Sequence, residues 1–216
     1  MSKGFIFDLD GVIVDTAKYH YEAWKTLAQQ FGYDFTPQDN EHFKGVSRVK
    51  SLELLLEMAQ YKATPEQKDR WLSEKNTAYL ALISHMNAKE ILPGIPQILD
   101  LLKSQGNLIA LGSASKNAEP ILEKVGLLSY FNTLVDGNSV SKAKPDPEVF
   151  LKAAQQLGLP PEECVVLEDA KAGVAAAKAA GMQCIGVGNA SILKLADYCF
   201  ETTAAIPLSL IKELSQ

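Results

Sequence analysis

FDLDGVIVDT, residues Phe7 to Thr16, follows directly on the apolar Gly4-Phe5-Ile6, and its reading decides the rest of the chain. The apolar run ends in Asp8 and Asp10, with a third acid at Asp15, and an ordinary strand end needs none of them. Carboxylates this close repel one another, so a cation belongs between them. Residues 4–8 read as a short buried strand. Gly11 and Val12 then lead the chain away, and Asp15-Thr16 is expected to cap the first helix beyond rather than to join a metal.

Working outward, two styles of sequence separate. Residues 17 to about 86 read as wholly helical: in AKYHYEAWKTLAQQF, Tyr19, Ala23, Leu27 and Phe31 recur at four-residue steps, and SLELLLEMA continues the style. Thr64, Pro65 and Gln67 have the pattern of a capping box, which opens a further helix through WLSEKNTAYLALISHM. After ILPGIP (Ile91 to Pro96) the strands NLIALGS, TLVDG, CVVLED and QCIGVG alternate with helices, the one containing Pro120 placing it in its first turn. Such alternation predicts a parallel sheet with right-handed crossovers. The expected fold class is α/β, a Rossmann-like parallel sheet core domain with an inserted α-helical cap domain after the first strand. The expected division is 1–15 and 92–216 for the core and 16–91 for the cap. An insert that leaves straight after the first strand should lie above the strands' carboxyl ends, where α/β folds bind ligands.

Composition narrows the possibilities. The 216 residues are 47% hydrophobic, enough for a good core, and the net charge of −5 argues against a nucleic-acid or anionic-membrane surface. An anionic small molecule stays open, because local fields govern that. Cys164, Cys184 and Cys199 are far apart, each in an apolar run, and read as buried, reduced thiols. Asp8 interrupts the N-terminal apolar run too early for a signal peptide, and no stretch nears the roughly 18 apolar residues of a membrane span. A cytoplasmic protein is expected.

Polar residues gather at four strand ends: Asp8 and Asp10, Ser113-Ala114-Ser115, the Lys144 region after TLVDG, and Glu168-Asp169. In an open parallel sheet all can converge on one crevice. Asp8, Asp10, Glu168 and Asp169 form an oxygen-only set that suits Mg²⁺, and no histidine or cysteine joins it to favour zinc. Singly, each acid pair reads equally well as a helix cap; two pairs at two strand ends of one crevice do not. A serine hydroxyl with neighbouring backbone N–H groups and a lysine ammonium can cradle phosphoryl oxygens. An aspartate inside that clamp can be a nucleophile that forms an aspartyl phosphate.

These four motifs, in this order, resemble the haloacid dehalogenase superfamily across the whole α/β portion. The resemblance implies that Asp8 is the nucleophile and Asp10 the general acid/base. It implies Mg²⁺ held by Asp8, the Asp10 backbone carbonyl and Asp169 with Glu168 close by, and Ser113 and Lys144 stabilising the transferring phosphoryl group. The helical insert must then decide the substrate. His20 lies four residues before Trp24, Lys44-Gly45-Val46-Ser47-Arg48 sets two cations around a glycine turn, and Lys75-Asn76 lies on another helix. DLDGVIVDTAKYHYEAW, FKGVSR and GSASKN together look very like a capped sugar-phosphate mutase branch of that superfamily. The resemblance implies conversion of β-D-glucose 1-phosphate to glucose 6-phosphate, with β-D-glucose 1,6-bisphosphate as intermediate and activator; a monomer is expected. Arg48 with Ala114, Ser115, Lys116 and Asn117 would hold the phosphate that is not being transferred. His20, Trp24, Lys44, Gly45, Val46 and Ser47 would line the sugar side, with Lys75 supporting His20. One departure is visible: the lysine loop reads Ala143-Lys144-Pro145-Asp146-Pro147, where the family's loop is Ser-Lys-Pro-Ala-Pro, so a charge is added beside Lys144. A phosphatase acting on sugar phosphates or phosphoglycolate is the alternative with the same core, and a phospho-receiver domain the non-enzymatic one.

Overall fold

The computed structural model describes residues 2–216. Six strands form one wholly parallel sheet: β1 (Gly4–Phe7), β2 (Leu108–Gly112), β3 (Thr133–Val135), β4 (Cys164–Glu168), β5 (Gln183–Val187) and β6 (Tyr198–Phe200). Their order is β3-β2-β1-β4-β5-β6, so the strand that ends in Asp8 is central. A strand paired on both edges and covered on both faces has no polar side to show, which is why GFIF is apolar throughout. Its side chains alternate between two cores. Phe5 and Phe7 point into one with Ile109, Leu111, Val165 and Leu167, covered by α5 (Ile95–Ser104), α6 (Ala118–Val125) and α9 (Leu208–Leu214). Ile6 points into the other with Ala110, Val166 and Cys184, covered by α7 (Glu148–Leu157) and α8 (Lys171–Ala179).

The insert comprises α1 (Ala17–Ala28), α2 (Pro37–Glu41), α3 (Arg48–Met58) and α4 (Pro65–Ile83). It has its own apolar cluster, built on Trp24, Leu27, Phe35, Phe43, Leu52, Leu55 and Trp71. The second half of α4 leaves that cluster, and Tyr79 and Ile83 join the core of the sheet. The two chain crossings between sheet and insert run side by side: Leu92 N–H donates to Ile13 O at 2.9 Å and Asp15 N–H to Glu90 O at 3.1 Å. Lys18 and Tyr19 bind the Glu90 carboxylate at 2.6 and 2.8 Å, tying the start of α1 to the return crossing.

The Thr64–Gln67 capping box forms as expected, and Pro65 takes the first helical position. A second box, Thr36 with Asp39, opens α2. β6 was not expected: DYCF reads only as an apolar run, and a three-residue edge strand is defined by its pairing to β5 rather than by its own pattern. The expected cap at Asp15-Thr16 is corrected too. Thr16 occupies the N-cap position of α1, but its side chain makes no cap and its hydroxyl donates to Asp10 instead. All three cysteines are free; Cys164 and Cys184 are buried and Cys199 is half-buried. Among the described residues no helix is long and apolar enough to cross a membrane.

Candidate active site

A cavity of about 780 Å³ lies between the carboxyl ends of the strands and the insert. That is within the usual range for a small-molecule site. Both parts of the chain wall it. From the sheet come Asp8, Asp10, Ser113 to Asn117, Lys144 and Asp169; from the insert come His20, Lys44 to Arg48 and Lys75. Two residues expected at the site do not line it. Trp24 is buried in the insert's own core, its ring 4.8 Å beneath the Lys75 ammonium. Glu168 is fully buried behind the wall.

The sheet side is organised by Lys144. Its ammonium sits 2.6 Å from Asp8 Oδ1 and 2.7 Å from Glu168 Oε1. Glu168 is in turn fixed by accepting from Ala170 N–H at 2.6 Å, and it packs so closely on α8 that a Cβ at Gly173 would collide with it. Burial by itself would pull the Lys144 ammonium down in pKa; Asp8 and Glu168 reverse that and raise it above its ordinary value. The added Asp146 makes its contacts away from Lys144. Asp146 accepts from the Glu148 N–H at 3.0 Å at the start of α7 and lies 3.5 Å from Lys142. Ser113 is fully buried, and its hydroxyl accepts from Ser115 N–H at 3.1 Å.

Asp10 is held from the insert. Thr16 donates to one carboxylate oxygen, and His20 Nε2 stands 3.9 Å from the other. Burial, and then the charge of Asp8, push its pKa up to about 6. His20 is driven well below its ordinary value by burial and by the cations Lys75 and Arg48, so it is neutral at physiological pH and its approach to Asp10 is not an ion pair. Its Nδ1 lies 2.9 Å from Lys75 Nζ, and its ring stacks on Tyr79 with centroids 4.3 Å apart.

The Lys44–Arg48 turn is short because Gly45 takes a left-handed φ of 71°. Ser47 then caps α3, its hydroxyl accepting from Lys50 N–H, so Arg48 is the first residue of a helix whose amino end favours anions. Arg48 has no carboxylate partner among the described residues. Sequence reading missed Asn40 and Ser51, which also line the cavity. Ser51 stands one turn after Ser47 on α3, a spacing that could have found it; Asn40 carried no such signal.

The site tests well as a place for a hard cation. Of the acids that line the cavity, Asp8, Asp10 and Asp169 lie at the strand ends and offer oxygen donors only, and Asp169 packs over Gly11 so tightly that any Cβ there would meet its carboxylate. Burial, then Glu168 and Asp8, raise Asp169 well above the carboxylate range. No three His, Cys, Asp or Glu side chains among the described residues form a complete cage. Mg²⁺ needs none, since it keeps waters and substrate oxygens alongside one or two carboxylates.

A parallel sheet whose strand ends present an acid pair, a buried lysine clamp and a serine beneath a helical insert defines a phosphoryl-transfer enzyme. The chain belongs to the haloacid dehalogenase-like hydrolase family, whose model matches residues 2–181. Phosphotransferases of that family generally use Mg²⁺. The chain is 42% identical to the β-phosphoglucomutase of Bacillus subtilis over 98% of its length and 94% of that protein. It is 34% identical to a phosphorylated carbohydrates phosphatase of Thermotoga maritima over 82% of its length and 81% of that protein. The crystal structure of a Clostridium difficile β-phosphoglucomutase, 41% identical, superposes with a TM-score of 0.95 over 100% of this chain and 97% of that one. The family and the insert together set aside a phospho-receiver domain.

Proposed function

We propose that this chain is a β-phosphoglucomutase, converting β-D-glucose 1-phosphate to glucose 6-phosphate through β-D-glucose 1,6-bisphosphate. The observation that carries this is the double equipment of one cavity. A mutase must present each phosphate of the bisphosphate in turn to one nucleophile while holding the other. Asp8, Ser113 and Lys144 supply the reacting set, and Arg48 with Ala114, Ser115, Lys116 and Asn117 supplies a second anion-binding set in the same cavity. Arginine suits the second set because its planar fork pairs bidentately with phosphate.

Asp8 is the nucleophile, and its carboxylate takes the phosphoryl group as an aspartyl phosphate. Lys144 and the Ser113 hydroxyl stabilise the charge on the transferring group. Asp10 protonates the departing sugar oxygen and, in the return half-reaction, removes a proton from the incoming hydroxyl. A pKa near 6 suits both duties close to neutral pH. Asp8, the Asp10 backbone carbonyl and Asp169 would hold Mg²⁺, with Glu168 behind them, and the bound ion would neutralise phosphoryl oxygens. Residues 16–91 work as a cap domain over a core of 1–15 and 92–216, and its seating excludes water that would otherwise hydrolyse the aspartyl phosphate. His20, Lys44, Gly45, Val46 and Ser47 face the sugar, while Trp24 serves from behind as a support for Lys75. On this reading the enzyme is a cytoplasmic monomer, with the bisphosphate as its activator.

The T. maritima relative keeps a phosphatase in view. The separating experiment is to incubate the protein with β-glucose 1-phosphate, Mg²⁺ and a trace of bisphosphate. Glucose 6-phosphate should accumulate; rapid release of inorganic phosphate without it defeats the mutase reading.

A further inference from the structure

Asn76 follows Lys75 on α4 and does not itself line the cavity. Its Oδ1 accepts a hydrogen bond of 3.1 Å from Asn117 Nδ2, across the boundary between insert and sheet. Asn117 does line the cavity, in the second anion-binding set. A primary amide nitrogen has two hydrogens, so one bond to Asn76 leaves a second free to donate. The same bond disfavours a flip of the Asn117 amide by itself, because that would set two carbonyl oxygens against each other. Left unrestrained, the Asn117 amide could turn its carbonyl oxygen toward an anion.

Two further contacts cross the same boundary. Gly45 seats on the loop after β4, where an added Cβ would fall 2.5 Å from the Ala170 Cβ, and Lys124 Nζ donates to Ser84 O at 3.2 Å. The Asn76 bond differs from these because it ends on a side chain with N–H donors in the cavity. Its neighbour Lys75 meets His20 at 2.9 Å, so one turn of α4 touches both the residues beside Asp10 and the second anion-binding set.

We propose that Asn76 is a positioning residue. It holds the Asn117 amide as a donor toward the phosphate that is not being transferred, and so makes occupancy of that site and closure of the insert depend on each other. This deepens the mutase reading and rests on it, since that reading supplies the second phosphate.

The test compares Asn76→Ala, Asn117→Ala and the double variant with the unmodified enzyme. For Asn76→Ala, KM for β-glucose 1-phosphate should rise about 3- to 10-fold, the weight of one hydrogen bond. Its kcat should change less, and its melting temperature should stay within about 2 °C. In the Asn117→Ala background the substitution should have no further effect on KM. Amide hydrogen exchange at 13–15 and 90–92, without substrate, should quicken in Asn76→Ala. An unchanged KM, an equal rise in the Asn117→Ala background, or a kcat loss that merely follows a lower melting temperature overturns the proposal. Should the unmodified enzyme release only inorganic phosphate, the mutase reading falls by itself. The exchange measurement still judges the bond between insert and sheet, and unchanged exchange there overturns it.

Discussion

Lys144 and Lys75 are buried almost equally, at 4% and 3% exposure, and both reach the same cavity, yet their ammonium groups shift in opposite directions. Lys144 lies between two carboxylates and is raised. Among the described residues Lys75 has no carboxylate in contact: it sits over the rings of Trp24 at 4.8 Å and Tyr79 at 4.6 Å, beside a neutral histidine. Burial, and then the positive charge of Arg48, pull it down to about 7. Depth in the protein therefore does not set a lysine's charge; its partners do. The sheet side of the cavity carries a cation that is always present. The insert side carries one whose charge is marginal near neutral pH, so an arriving anion would strengthen it.

Breaking the sheet side should have the largest effects. Asp8→Asn removes the proposed nucleophile while Lys144 keeps Glu168 as its partner, so the protein should fold but form no phosphoenzyme on exposure to bisphosphate; labelled phosphate on the variant would refute Asp8's role. Asp10→Asn should keep its backbone carbonyl for Mg²⁺ yet take phosphate from a bisphosphate far more slowly and lose most of its turnover, as rapid-quench kinetics would reveal. Lys144→Met strands the fully buried Glu168 without its cation and should destabilise the fold by about 3–5 kcal/mol in urea melts. A loss under about 1 kcal/mol would mean that the clamp is not an ionised pair.

Lys75→Met should do the reverse to stability. The unfolded lysine titrates near its ordinary 10.5 and the folded one near 7, so below pH 7 both states hold the proton and the folded state bears the full penalty. Between about 7 and 10.5 the unfolded state binds more protons, and stability from this group rises with pH. Lys75→Met should thus be more stable than the unmodified chain at pH 6, with the difference shrinking by pH 9, while kcat falls about tenfold through the loss of support for His20. Equal stability differences at both pH values would show that Lys75 is paired like Lys144. The smallest effect is expected at the Tyr79 hydroxyl, which is buried with no hydrogen-bond partner among the described residues. Tyr79→Phe keeps the ring under Lys75 and His20 and should be neutral or stabilising by up to about 1 kcal/mol in the same melts.

Much of this was legible in the chain. An all-apolar strand ending in two acids, followed by strands and helices in alternation, implies a parallel sheet with its site at the strand ends, because that pattern can be buried in few other ways. The acids, Ser113 and the Lys44–Arg48 turn were recognisable for the same reason: each sits where a strand or helix ends and backbone groups need partners. Lys144, in the loop between β3 and α7, stood out only through the order of the motifs. Other residues were assigned by tertiary contact. Trp24 and His20 share a helix spacing, and nothing in that spacing says that one packs inside the insert while the other meets the cavity. Thr16 has the sequence of a cap but turns to Asp10, and Asn76 has no meaning until Asn117 is brought against it from 41 residues away. The sequence by itself determined the order of the elements and the types of group at the strand ends, since periodicity and turn chemistry are local. Only the tertiary structure decided which lysine holds its proton firmly and which residues stand behind the site, since both depend on neighbours remote in the chain.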